Sequence, residues 1–196
     1  MNPPDPTDQQ KLEAQWLARA RKGDPDAFGE FFNVYHARLF AVVSRVVSNP
    51  DDARDITQRS WVKAWQKLDT FKGDSSFYTW LCRIATFTAL DHLRSRKRRG
   101  EVEYLDELDA ASEGGQVAAR PGDRPDRAMQ KTEVREKFEA ALHQLSDKHR
   151  AALILREVEG LSYEEIAETM GCRIGTVMSR IFNARKQIQQ YLKDTR

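Results

Sequence analysis

Large apolar residues recur every three or four positions along most of this chain, the spacing that places them on one side of an α-helix. The first such stretch covers 26–47 and ends before Asn49-Pro50, because a proline interrupts a helix that reaches it. Three aspartates follow and favour a new helix start, since carboxylates stabilise the positive N-terminal end of a helix. A third helix is predicted from Ser76 to the basic run at 94–99.

The composition changes at 100–127, where acidic residues and then Ala, Gly, Ser, Arg and Pro replace the large apolar residues. This segment is typical of a linker. Helical periodicity resumes near Val134 and continues to the C-terminus, and no window alternates as a strand would. We therefore expect an all-α protein with two small helical domains, over 12–99 and 128–196, joined by a flexible acidic linker.

Composition agrees with two small units. Of the 196 residues, 40% are hydrophobic and 32% are charged, which indicates a large surface relative to the core. The net charge of +2 says nothing by itself about nucleic acid. The two cysteines, Cys82 and Cys172, are far apart and offer neither a disulfide framework nor zinc spacing. The polar start and the lack of a long apolar run predict a cytoplasmic protein.

The strongest local motif lies at 160–186. Ser162 and Glu165 have the spacing of a capping box, and Gly171 can adopt the left-handed conformation of a turn between two helices. A basic second helix begins at Gly175. Together these features predict a helix-turn-helix that binds duplex DNA. The alternative is an ordinary helical hairpin with a solvated basic surface.

A second motif places aromatic residues before a basic run. Phe71, Phe77, Trp80 and Phe87 precede Arg94–Arg99, in which five of the six residues are cationic. Aromatic faces can stack on unpaired bases while cations contact the phosphates, so the segment suits single-stranded DNA. The alternative for each aromatic residue is a place in the core, since one helix cannot turn all of them outward.

These motifs resemble a known family. The stretch Leu161–Ala167, with Gly175–Val177 and Ser179–Arg185, resembles region four of RNA polymerase sigma factors. Gly73–Leu81, with Arg83–Ala85, resembles their region two. The order of the two regions and the lack of others are similar to the short extracytoplasmic-function (ECF) group of the sigma-70 family, in particular its sigma-E-like branch. The resemblance implies a factor that directs core RNA polymerase to promoters and helps to open them.

The resemblance also implies DNA-binding residues. Domain four is expected to read the minus-thirty-five element with Thr176, Ser179, Arg180, Asn183, Arg185 and Lys186. Phe87, Thr88, Asp91 and His92 match positions near the family's minus-ten reader. With the aromatic and basic segment they make up the expected minus-ten and melting set: Phe77, Tyr78, Trp80, Phe87, Thr88, Asp91, His92, Arg94, Arg96, Lys97 and Arg98. Arg180 has a structural alternative, as a partner in a salt bridge.

The partners implied are promoter DNA and core RNA polymerase, through the clamp helices of its largest subunit and its flap. Asp55, Gln58 and Arg59 match the family's contact surface, although Asp55 has the alternative of stabilising only its helix start. The family usually has an acidic residue at Arg59, an Asn at Phe87, and cations at Met178 and Asn183. An anti-sigma factor, membrane-associated in this branch, is the further expected partner. The linker acids would suit a cationic path in polymerase, or would form a solvated spacer.

Two other function classes compete with this interpretation. A repressor or activator could use the same helix-turn-helix without polymerase, but it would leave the aromatic and basic segment without a role. A helical nucleic-acid enzyme could hold a metal ion between carboxylates. The four histidines are scattered and no phosphate-binding glycine loop is present, so we expect no catalytic residue, cofactor, metal or small-molecule substrate.

Overall fold

The computed structural model describes residues 6–103 and 137–195, and every regular element in those ranges is a helix. The first helical domain contains α1 (Pro6–Ala20), α2 (Pro25–Val47), α3 (Pro50–Gln66), a 3-10 turn (Leu68–Thr70) and α4 (Phe77–Glu103). The second contains α5, described over 137–143, then α6 (Asp147–Glu157), α7 (Tyr163–Met170) and α8 (Ile174–Asp194). The expected all-α class with two helical domains is confirmed. The expected linker at 100–127 lies outside the described residues from 104 onward.

Local capping separates α2 from α3 at the proline predicted to interrupt them. The side-chain oxygen of Asn49 accepts hydrogen bonds from the backbone N–H groups of Asp51 and Asp52, at 2.9 and 3.0 Å. Pro50 occupies the first helical position, where its missing N–H costs no intrahelical hydrogen bond. Asp24 caps α2 in the same way. Its carboxylate accepts a hydrogen bond from the Ala27 N–H, and this bond lowers the pKa of the carboxyl.

Each domain has its own apolar core. In the first domain, Phe31, Leu39, Ile56 and Leu81 are completely buried where α1 to α4 meet. In the second, the helix-turn-helix packs on α6. Leu155, Ile166 and Val177 are completely buried there, and Ile181 is almost completely buried. Two separate cores agree with the expectation of two small units.

The basic helix is longer than the sequence predicts. α4 continues through Gly100 to Glu103, whereas the linker was expected to begin at Gly100. One glycine inside a helix costs only about 1 kcal/mol relative to alanine, so it need not end a helix of this length.

The two domains also pack against each other, with α4 against α7 and α2 against α6. Ala151 and Ile154 of α6 lie in the core of the first domain, and Met170 at the end of α7 packs against both cores. The N-terminal half of α4 is therefore covered by the second domain in this arrangement.

Candidate nucleic-acid interface

The helix-turn-helix forms as predicted at α7 and α8. The Ser162 Oγ accepts a hydrogen bond from the Glu165 N–H at 3.1 Å, and the Glu165 carboxylate accepts one from the Ser162 N–H at 2.8 Å. Gly171 ends α7 with φ 58° and ψ 46°, the left-handed conformation that glycine adopts without strain. Arg173 is the N-cap of α8, the second helix of the motif.

The α8 helix has one buried face and one exposed face. Val177, Ile181, Ala184 and Ile188 are buried against the rest of the second domain. On the opposite side, Ser179, Asn183 and Lys186 are exposed and Thr176 is half-buried. The Ser179 hydroxyl donates to the Thr176 carbonyl at 3.1 Å. Four of the six expected minus-thirty-five residues are thus available on one surface.

The other two expected readers, Arg180 and Arg185, are held by their own domain. The Nη1 of Arg180 lies 3.3 Å from the Cys172 Sγ, and the side chain is half-buried against the turn of the motif. The Arg185 guanidinium forms an ion pair with Glu157 on α6, which raises the pKa of Arg185. The contacts of Arg180 are to sulfur atoms, whereas the sequence-based alternative was a salt bridge, and its role at the minus-thirty-five element stays a prediction.

Met178 belongs to an exposed apolar row of α8 whose other two members, Ile174 and Phe182, the sequence analysis did not single out. Phe182 is 68% exposed and Met178 is 53% exposed, one helical turn apart. Ile174 continues the same row by a further turn and is 42% exposed. Positions 174, 178 and 182 lie four residues apart beside the buried stripe that contains Val177 and Ile181, so periodicity alone does not predict their exposure.

Four of the residues expected to contact minus-ten DNA are buried. Phe77 stacks on Phe31 with ring centroids 3.9 Å apart, and Trp80 packs on Phe71 at 5.2 Å. The Arg38 guanidinium covers the ring of Tyr78 at 4.1 Å, and burial raises the pKa of the Tyr78 hydroxyl. These three aromatic residues are core residues in this structure, which corrects the expectation that they face DNA.

The fourth buried residue is Thr88. Its hydroxyl donates to the Ile84 carbonyl at 2.8 Å and accepts a hydrogen bond from the Lys63 ammonium at 3.1 Å. Both partners lie within the first domain, so the Thr88 side chain joins α4 to α3 instead of facing DNA. This too corrects the sequence-based expectation.

One face of α4 does remain open. Phe87, Asp91, Arg94 and Arg98 are all exposed, and their spacing of four, three and four residues aligns them along the helix. Phe87 is 59% exposed, whereas the other aromatic side chains of α4 are buried. We call these four residues the α4 outer row. It combines an aromatic ring with cations, the pairing that the sequence analysis associated with single-stranded DNA.

Two of the expected minus-ten residues turn toward α3 instead. His92 Nε2 lies 3.3 Å from one carboxylate oxygen of Asp52, and Arg96 Nη1 lies 3.0 Å from the other. Asp52 therefore joins the start of α3 to the basic part of α4, in addition to its position in the first turn of its helix. Lys97 is exposed beside the α4 outer row.

The residues expected to bind polymerase lie on the outer side of α3. Gln58 and Arg59 are exposed, and Arg59 Nε donates to the half-buried Asp55 carboxylate at 3.0 Å. Val62 and Trp65 follow at helical spacing and are also exposed, although their size would normally favour burial. They extend the same surface with apolar area.

Comparison with known proteins identifies the family to which this chain belongs. Sigma-70 region 2 matches residues 31–99, and Sigma-70 region 4 matches residues 135–188. The RNA polymerase sigma-H factor of Pseudomonas aeruginosa is 40% identical over 94% of this chain and 95% of its own length. The ECF RNA polymerase sigma-E factor of Haemophilus influenzae is 37% identical over 94% and 97%. The chain belongs to the ECF RNA polymerase sigma factors.

A solved structure agrees with this assignment. The sigma factor RpoE of Bartonella quintana, in complex with the anti-sigma factor NepR, has a TM-score of 0.67 and 30% identity to this sigma factor. The similarity covers 86% of this chain and 98% of the Bartonella chain. The resemblance inferred from the two motifs is therefore confirmed.

Sigma factors are transcription initiation factors rather than catalysts. Among residues 6–103 and 137–195 of this sigma factor, no three His, Cys, Asp or Glu side chains are grouped so that they could hold a metal ion. In the same ranges, no helix combines the length and apolar character needed to cross a bilayer.

Proposed function

We propose that this sigma factor binds core RNA polymerase, directs it to specific promoters with both helical domains, and promotes DNA opening. One observation carries the proposal: the chain presents a helix-turn-helix whose second helix has no acidic residue before Asp194, together with the α4 outer row. The first suits duplex DNA and the second suits an unpaired strand. We assign minus-ten and polymerase binding to 12–99, and minus-thirty-five binding to 128–196.

Domain four is proposed to place α8 in the major groove at the minus-thirty-five element. Recognition helices contact base edges with their N-terminal residues, and Ser179 and Asn183 lie on that exposed part of α8. Asn pairs best with adenine, because its amide matches the donor and acceptor on the adenine edge. Thr176 and Lys186 lie beside them, where they can contact phosphates.

The α4 outer row is proposed to hold the opened strand. Phe87 offers a free ring face for an unpaired base, which is worth about 1–3 kcal/mol in comparable proteins. Arg94, Lys97 and Arg98 are exposed beside it and suit the phosphates. Phe77, Trp80 and Thr88 support this row from inside the domain.

The outer side of α3 is proposed as the polymerase contact. Gln58 and the Asp55–Arg59 pair supply polar groups, while Val62 and Trp65 supply apolar area that would be buried on binding. Arg59→Ala should weaken binding to core polymerase. Arg54→Ala is the matched control, because Arg54 is also exposed and pairs with Asp51 on the same helix.

Reconstituted transcription tests the proposed function. The purified chain is mixed with core polymerase and a promoter selected by the mixture from genomic fragments. Transcription that starts at that promoter only when the chain is present supports the proposal. A repressor would bind the duplex without polymerase and support no transcript, and a nuclease would cleave DNA when Mg²⁺ is added. Either of those results contradicts it.

An anti-sigma factor is the proposed regulatory partner. The Bartonella relative of similar structure was solved with the anti-sigma factor NepR bound. The exposed apolar and charged surfaces of α3, α4 and α8 are suitable for occlusion by such a partner. Purification at native levels from resting and stressed cells should recover a second protein besides polymerase. Recovery of polymerase alone under both conditions would count against an inhibitor.

A further inference from the structure

The α8 helix carries an exposed apolar row between its buried side and its polar face. Ile174, Met178 and Phe182 are exposed and lie four residues apart, so their side chains follow one line along the helix. Exposed large side chains in a continuous row indicate a binding surface more strongly than single ones do. The row flanks the polar face that carries Ser179 and Asn183, with Phe182 nearest to that face.

The cations nearest to this row are turned away from it or placed at its ends. Arg180 lies against Cys172, and Arg185 is paired with Glu157, as described above. Both interactions draw guanidinium groups back to the body of the domain. Arginine is the side chain best suited to guanine, so the middle of this helix offers little for reading guanine.

The charge around the row nevertheless favours DNA as its occupant. Arg173 and Lys186 are exposed at either end of the row, and α8 has no acidic residue before Asp194. Cations at the two ends of the row would be attracted to the phosphates of the two DNA strands. The apolar side chains between them would then lie near the base edges. In the major groove, the apolar feature of a base edge is the thymine 5-methyl group.

We propose that Met178 is a specificity-determining residue that selects thymine in the minus-thirty-five element by packing against its 5-methyl group, with Phe182 extending the same contact. The inference deepens the proposed function and rests on domain four reading duplex DNA. Met178 and Phe182 are separated by about 6 Å along the helix axis, close to two base-pair steps of about 3.4 Å. Methionine fits this task because its thioether is flexible and polarisable.

Replacing thymine by deoxyuridine tests this contact, since the two bases differ only in the 5-methyl group. The holoenzyme first selects its own promoter from a random library. Each thymine of the minus-thirty-five element is then replaced in turn, and binding is measured by competition. We expect one replacement to weaken wild-type binding about fourfold, the factor for one buried methyl-sized group. In Met178→Ala, the same replacement should change nothing.

Leu192→Ala provides the matched control. Leu192 is an exposed apolar residue of α8 that lies outside the row, so this variant should keep the full response to deoxyuridine. Met178→Arg should move the selected base at that position toward guanine. Because Met178 is exposed, both variants at this position should fold as the wild type does.

The outcomes separate this inference from the proposed function. If the wild-type holoenzyme transcribes its promoter but no deoxyuridine replacement affects binding, the Met178 contact is wrong and the function stands. If Met178→Ala weakens binding to core polymerase without DNA, the row contacts protein and the inference is also wrong. If the wild-type chain supports no promoter-directed transcription, both proposals fail.

Discussion

Arg83 on α4 and Glu168 on α7 join the two helical domains through a pair of hydrogen bonds. The two guanidinium nitrogens donate to the two carboxylate oxygens at 2.5 and 2.6 Å. A second ion pair lies nearby, where the Arg38 Nη2 is 2.8 Å from the Glu159 carboxylate, and the Glu159 side chain is almost fully buried. These contacts hold the second domain over the buried Tyr78 ring and cover the N-terminal half of α4.

Reversing the charge of Arg83 should loosen this docking. Arg83→Glu places two carboxylates against each other, and because the pair is partly exposed we expect a change of about 1 kcal/mol in favour of the separated domains. Small-angle scattering of the free chain should show a larger radius of gyration. The double variant Arg83→Glu with Glu168→Arg should restore the wild-type value, and Arg54→Glu should leave it unchanged. Identical radii for all four proteins would show that this pair does not hold the domains.

The rate at which alkylating reagents modify Cys82 should depend on the docking of the two domains. Burial raises the pKa of the Cys82 thiol to about 12, and only the thiolate reacts with alkylating reagents. At pH 8 the native protein should therefore be modified quickly at the partly exposed Cys172 and slowly at Cys82. Arg83→Glu should accelerate modification of Cys82, as measured by peptide mass spectrometry. Equal rates at the two cysteines in the native protein would contradict this prediction.

Trp80 and Phe87 lie on the same helix and should give opposite phenotypes. Trp80→Ala should lower the free energy of unfolding by about 3–5 kcal/mol, because the ring is buried between Phe71 and Phe77. Phe87→Ala should change stability by less than about 0.5 kcal/mol but slow promoter opening. Urea denaturation measures the first effect, and the fluorescence of 2-aminopurine in the minus-ten element measures the second. A stable Trp80→Ala protein with slow opening would reverse these assignments.

The cations of α4 should differ in their contributions to salt dependence. Replacing Arg94, Lys97 and Arg98 with Gln should reduce the slope of log K against log salt by up to about 0.9 per duplex phosphate contact, and by less for a single strand. Arg96→Gln is the control, because Arg96 is paired with Asp52 and should contribute less. A slope that is unchanged in the triple variant means that these side chains do not contact DNA.

Asn183 should determine one base of the minus-thirty-five element. Asn183→Arg should shift the preference at that position from adenine toward guanine by about 1–3 kcal/mol, because the arginine fork matches the guanine edge. Selection of bound DNA by the variant holoenzyme measures this change. An unchanged selected motif would remove Asn183 from the reading surface.

Much of this protein could be predicted locally. Pro50 and the cap at Asn49 place a helix boundary, and Ser162, Glu165 and Gly171 define the turn of the helix-turn-helix through hydrogen bonds within a few residues. The outer polar face of α8 follows from its periodicity, because this helix is buried along one side only. The family could be identified for the same reason, since its motifs are short and continuous in the sequence.

The tertiary structure decided which aromatic residues of α4 face inward and which cations of α8 are free. α4 contacts α2, α3 and α7, so its apolar residues point in several directions and their spacing alone does not distinguish Phe77 and Trp80 from Phe87. Arg185 is paired with Glu157, 28 residues away in the sequence, and Arg83 with Glu168, 85 residues away. Burial and ion pairing depend on the surface that a distant segment supplies, whereas periodicity and capping depend only on neighbours along the chain.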